Sequence, residues 1–175
     1  PRLELGRARP GAGRGCDVTV TPPKAASTLW ALAEAAGQHA VLVAHRQAVE
    51  ETLVFVERTA LFTRTGTAGC VQEPTRGVLA VAFDHWDSRA GDPNLHTHVV
   101  IANKVQTADG RWLSVDSKAL HHAVVTISEV YDDLFADRLA QRLPVSWGWR
   151  HRGQRRSPGF ELDGVDDALM TEFST

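Results

Sequence analysis

The stretch His85-Trp86-Asp87-Ser88-Arg89-Ala90-Gly91-Asp92-Pro93-Asn94-Leu95-His96-Thr97-His98 decides how the chain is read. On its N-terminal side, Gly77 to Asp87 alternates as a strand does. Val78, Ala80, Ala82 and Asp84 fall on one side, and Leu79, Val81, Phe83 and His85 on the other. Ser88 to Asn94 is a Gly/Asp/Pro loop. Leu95 to Val105 reads as the next strand, antiparallel to the first across that loop. Period-two alternation puts His96 and His98 on one face, and His85 ends the preceding strand beside the loop. If the strands pair, three imidazoles converge.

Three neutral imidazoles on a rigid face make a metal site with open positions, as a Lewis acid needs. One divalent ion is expected, Mg, Mn, Zn or Ni; imidazole itself suits Zn, Ni, Cu and Fe and protein-bound Mn accepts it too, so the ligands do not fix the identity. The plainer alternative is that each histidine is a satisfied core or surface residue. Asp84 lies next to His85 in sequence but points to the other face. Asp17 sits in the alternating stretch Cys16-Asp17-Val18-Thr19-Val20-Thr21, where an unpaired carboxylate is costly if buried. It suits a partner behind a ligand histidine, a general base, or an edge-strand group facing water.

Further out, Pro22-Pro23 ends that strand. A helix is predicted from Lys24 to Ala36, stopped by Gly37, and a second from Gln38 to Phe62. Ala68 to Val71 reads as a short strand. Asp109-Gly110 is a tight-turn signal, followed by a strand from Arg111 to Val115. Asp116 or Ser117 caps a long helix to Leu143, with Leu120, Val124, Ile127, Tyr131, Leu134 and Leu139 as its buried stripe. Val145 to Trp149 and Phe160 to Leu162 read as strands, and Val165 to Phe173 as a short helix. Residues 1–15, rich in Arg, Gly and Pro, read as a flexible arm ahead of a single domain over residues 16–175.

With 175 residues, 43% hydrophobic and 23% charged, the chain has enough apolar material for a core. The net charge of -2 excludes a generally basic DNA-coating protein but leaves room for a local basic groove. Two cysteines are too few for a disulfide scaffold, and no apolar run approaches a membrane span.

The His85 to His98 stretch resembles the three-histidine motif of conjugative relaxases of the TrwC/TraI (MobF) type: one His, ten residues, then His-x-His, with a Ser-Arg-Ala-x-Asp-Pro-x-Leu run between. Upstream, Asp17 to Ser27 resembles the family's Asp-Leu-Thr-Phe-Ser-Ala-Pro-Lys-Ser-Val-Ser segment at Asp17, Thr19, Pro23, Lys24 and Ser27, and departs from it at Pro22, Ala25 and Ala26. Asp109-Gly110-Arg111-Trp112, Asp116 to Leu120 and Gly164 to Ser174 are also similar to the family.

The resemblance implies an HUH endonuclease of α+β class, a central antiparallel sheet with helices packed on its faces. It implies a cytoplasmic bacterial protein that binds single-stranded DNA at a plasmid transfer origin and nicks it in conjugation. His85, His96 and His98 would hold the metal, Asp17 would orient a histidine or activate the nucleophile, and a tyrosine would form a 5′-phosphotyrosine link. It further implies a C-terminal helicase region and relaxosome or coupling proteins as partners. The family's nucleophilic tyrosines precede the Asp17 segment, yet no tyrosine does so here. The chain begins with Pro1 and reads as a domain lacking its tyrosine segment. Tyr131, the sole tyrosine, fits a buried stripe better than a nucleophile.

Lys24, Arg89, Lys104, Arg111 and Lys118 are candidate phosphate contacts, as are Arg152, Arg155 and Arg156 in a basic loop over 151–158 that is otherwise simply solvated. Trp86 points away from His85 and is expected in the core. Two other classes stay in view: a catalytically dead single-stranded-DNA-binding remnant, and an unrelated three-histidine metalloenzyme.

Overall fold

Leu95, Thr97, Val99 and Ile101 alternate as fully buried residues along one strand, and that strand is the axis of the fold. The computed structural model describes residues 13–151 and 158–174. In chain order the elements are β1 (Gly15–Val20), α1 (Lys24–Leu32), α2 (Ala35–Thr59), β2 (Phe62–Thr65), β3 (Val71–Pro74), β4 (Ala80–Asp87), β5 (Pro93–Ala102), β6 (Val105–Gln106), β7 (Trp112–Leu113), α3 (Ser117–Ala140), β8 (Trp147–Arg150), β9 (Gly159–Leu162) and α4 (Asp167–Glu172). A 3₁₀ turn over Thr67–Gly69 joins β2 to β3.

The central sheet has the order β1-β5-β4, antiparallel throughout, and three small two-stranded hairpins complete the α+β fold. Directly paired residues share a face. One face carries Val18 and Val20 from β1, Leu95, Thr97, Val99 and Ile101 from β5, and Ala80 and Asp84 from β4. Helices α2 and α3 cover it, packing Val49, Val56, Leu120 and Ile127 against the strands. Arg138 of α3 grips the Glu51 carboxylate of α2 through two 2.8 Å bonds.

The opposite face carries Asp17 and Thr19, His96, His98 and Val100, and Val81, Phe83 and His85. It is open: Val81 and Phe83 keep 56% and 52% of their surface.

Residues 152–157, with Arg152, Arg155 and Arg156, lie outside the described residues, as do residues 1–12 of the expected arm. Residues 13 and 14 are held to Asn103, and Gly15 already belongs to β1.

Several boundaries differ from the sequence reading. The first helix ends at Leu32, where Ala33 and Glu34 turn extended, and Gly37 lies inside α2. Glycine is needed there for closeness: a Cβ would stand 2.8 Å from that of Ala33. The second helix stops at Thr59, and Phe62 begins β2 instead. On α3 the buried line runs Leu120, Ile127, Tyr131, Phe135 and Leu139. Val124 falls off that line and faces a groove of about 320 Å³ beside β1.

Candidate metal centre

The β4–β5 register sets His85 directly opposite His96. His98 follows two residues on, so the three rings form a triangle with centroids 5.1, 5.1 and 5.2 Å apart. A metal bound about 2.1 Å from each Nε2 in tetrahedral directions spaces ring centroids by roughly 5 Å. Among the described residues, no three or more His, Cys, Asp or Glu side chains have their donor atoms gathered as a metal site. The ring centres nevertheless stand at the spacing of such a site, and the soft χ2 torsion swings Nε2 while leaving the ring centre nearly in place.

Two of the rings have their other nitrogen secured. Nδ1 of His98 donates to Asp17 Oδ2 at 2.9 Å, with Oδ1 and Thr19 Oγ1 each at 3.2 Å. Nδ1 of His96 donates to the Asn94 carbonyl at 2.7 Å. In the neutral imidazole both bonds leave Nε2 as the nitrogen without a proton. The chemistry of the donor set and its ring spacing suit a divalent ion, although the donor atoms do not converge as they stand.

Motif residues between and before the histidines hold this geometry. The Ser88 hydroxyl accepts from the amides of Ala90 and Asp92, and Ser88 N–H bonds the Asp92 carbonyl at 2.8 Å. Gly91 takes φ +87°, a conformation glycine adopts without strain. The register shifts between His85 and Asp87, and there the buried Ser27 hydroxyl of α1 accepts the Leu95 amide at 3.2 Å. Lys24 Nζ donates to the Pro93 carbonyl at 2.9 Å and to the Phe173 carbonyl. Lys24 is thus spent inside the fold, fastening the start of β5.

The other candidate cations are dispersed. Arg89 is exposed in the loop beside His85. Lys104 and Lys118 stand at the opposite end of β5 and at the start of α3. Lys104 is six residues beyond His98, up to about 20 Å along an extended chain. Arg111 is paired with Asp109 at 2.6 Å. Trp86, expected in the core, is 41% exposed and stacks on Trp30 at 6.1 Å; the register shift beside it lifts it out of the regular alternation.

On the covered face, behind the imidazoles, lies a chain of polar groups that pattern reading passed over. Tyr131 Oη and His45 Nδ1 are 2.7 Å apart, His45 Nε2 and Thr97 Oγ1 2.7 Å, and Thr97 Oγ1 and Asp84 Oδ1 2.7 Å; Arg46 Nε reaches Asp84 Oδ2 at 2.8 Å. Burial lowers the His45 pKa to about 4, with Arg46 and His96 adding to the fall and Asp84 opposing it. Burial works against the Asp84 charge, but the bonds from Thr97 and Arg46 more than offset it and hold its carboxyl below the usual range. Burial pushes the Tyr131 phenol well above its ordinary value. The only signal for His45 in the sequence was its position, four residues after Val41 on the buried stripe of α2.

Fold and site together define an α+β protein that presents three imidazoles on an open antiparallel sheet. The chain belongs to the TrwC relaxase family, whose model matches residues 2–175. It is 37% identical over 118 residues to the multifunctional conjugation protein TraI of Escherichia coli, covering 65% of this chain and 6% of TraI. The TraI of Escherichia coli strain K12 is 36% identical over the same length. Among solved structures, the conjugative relaxase TrwC in complex with oriT DNA superposes with TM-score 0.81 in a copper-bound form (30% identity, 99% of this chain, 57% of that one). A metal-bound form also gives 0.81, at 29% identity over 98% of this chain and 59% of that one. TrwC with a 27-mer DNA comprising the recognition hairpin and the cleavage site gives 0.78 at 28% identity. The chain thus spans 6% of TraI and 57% to 60% of these TrwC chains.

Proposed function

We propose that this chain is the metal-holding part of a conjugative relaxase, binding single-stranded DNA at a plasmid transfer origin with one phosphodiester seated over His85, His96 and His98. The imidazole triangle on an open sheet face carries this reading. Family membership supports it, as do the oriT DNA and metal present in the similar TrwC structures. A divalent ion, when bound there, supplies Lewis-acid polarisation of the phosphate. Asp17 and the Asn94 carbonyl keep His98 and His96 in the tautomer that exposes Nε2. The uncovered face leaves room for a DNA strand to lie across the sheet.

Tyrosine-mediated nicking and transfer also need a hydroxyl on that face. Tyr131, the sole tyrosine of the sequence, is buried on the other side of the sheet with its hydroxyl bonded to His45. That observation favours a second reading for the chain by itself: it binds single-stranded DNA without cutting it.

Elemental analysis and a labelled-oligonucleotide assay test both. One divalent ion per chain, lost in a His96→Ala, His98→Ala double variant, is expected, together with DNA binding and no covalent DNA–protein adduct. A parent chain free of metal after incubation with Mn, Ni or Zn would sink the metal reading. An adduct abolished by Tyr131→Phe would overturn the second.

A further inference from the structure

We propose that Tyr131, His45, Thr97 and Asp84 form a directed hydrogen-bond clamp that positions the three imidazoles from behind the sheet. The proposal rests on the metal reading above. Its geometry is specific to the ligands. Thr97 is the residue between His96 and His98, and Asp84 is the residue before His85. The two are register partners, Asp84 opposite Thr97, with their side chains on the covered face. The 2.7 Å bond from Thr97 Oγ1 to Asp84 Oδ1 therefore ties together the residues adjoining all three ligands. In a strand, fixing one side chain on one face constrains the outward vectors of its two neighbours on the other.

The polarity of the chain follows from its chemistry. The Asp84 carboxylate only accepts, so the Thr97 hydroxyl must donate to it. The Thr97 oxygen then accepts from His45, which places a proton on Nε2. Nδ1 of His45 is left bare and accepts the Tyr131 hydroxyl proton. Each donor has one acceptor, and the neutral His45 is the form its burial favours. Arg46 closes the far end on Asp84. Thr97 and His45 are almost wholly buried, so no water substitutes for a lost link at its centre. A clamp of this kind, reaching helices α2 and α3, gives the triad a support that strand pairing alone lacks.

These are positioning residues, and the test reads the metal rather than turnover. Co(II) is titrated into the parent chain and into Thr97→Val, Thr97→Ser and Tyr131→Phe variants, following affinity and the visible ligand-field spectrum. Removing a supporting hydrogen bond behind metal ligands weakens binding by about 10–100-fold. Thr97→Val, which keeps the shape, is expected to weaken Co(II) binding in that range and shift the spectrum. Thr97→Ser, which keeps the hydroxyl, is expected to restore both. Tyr131→Phe, at the far end, is expected to shift the spectrum in the same direction. Should Thr97→Val fail to fold, Tyr131→Phe decides, because it leaves the ring packing in place. A parent that binds Co(II) with Thr97→Val or, failing that, Tyr131→Phe indistinguishable from it overturns the clamp alone. A parent that binds no Co(II) overturns the metal reading and the clamp with it.

Discussion

Asp17 reaches diagonally across the β1–β5 pair to His98: its register partner is Val100, yet its carboxylate lies 2.9 Å from the His98 ring. Thr19 is the residue directly opposite His98, and its hydroxyl, 3.2 Å away, flanks the same nitrogen. Both groups belong to β1, so the imidazole is gripped from the neighbouring strand alone.

Removing that grip is expected to weaken metal binding. Asp17→Ala should raise the metal dissociation constant by about 10–100-fold, while Asp17→Asn, which can still accept from Nδ1, should cost far less. Isothermal titration with Mn or Ni measures both. Equal losses in the two variants would mean that the carboxylate charge matters and the hydrogen bond does not.

Ser27→Ala should destabilise the fold. Ser27 is fully buried and its hydroxyl takes up the Leu95 amide where the β4–β5 register shifts. Leaving a buried N–H unpaired costs about 1–3 kcal/mol. Urea denaturation monitored by tryptophan fluorescence gives the value directly, and an unchanged midpoint would count against this bond.

His45 predicts an acid-sensitive fold. Its pKa falls from 6.5 to about 4 on folding, so the unfolded chain takes up the proton first. As pH drops through that window the unfolded state gains, and stability declines; above pH 6.5 the contribution is flat. The interval is worth roughly 3 kcal/mol. Urea midpoints at pH 7 and pH 4.5, compared between the parent and His45→Gln, should show a steeper fall in the parent.

Arg89 is an exposed cation in the β4–β5 loop, four residues after His85, whereas Lys104 and Lys118 stand at the other end of the sheet. If a single strand crosses the imidazole face, Arg89→Ala should lower the slope of log affinity against log salt by about 0.7. Lys104→Ala and Lys118→Ala should change it less. Fluorescence anisotropy over a salt series distinguishes them.

The three-histidine face was legible because strand alternation is a rigid rule: with His85, His96 and His98 flanking a polar loop, antiparallel pairing across that loop brings the rings together. Other features depended on contacts that local pattern does not carry. The α1–α2 break at Ala33–Glu34 has no glycine, proline or side-chain cap to mark it. The strand from Phe62 is specified by its partners Val71–Pro74, not by its own four residues. His45 was passed over because a histidine on a helix reads as polar, though its neighbours one turn away are buried. Lys24 looked like a phosphate contact because charge alone says nothing of where an ammonium ends up; here two backbone carbonyls claim it.

That lysine has a mechanical consequence. Through one ammonium group the last turn at Phe173 and the first residue of the histidine-bearing strand at Pro93 are tethered to a common point on α1. A displacement at Phe173 therefore reaches the root of β5 through the Lys24 side chain as well as through the packing of α4 on α1 and the core.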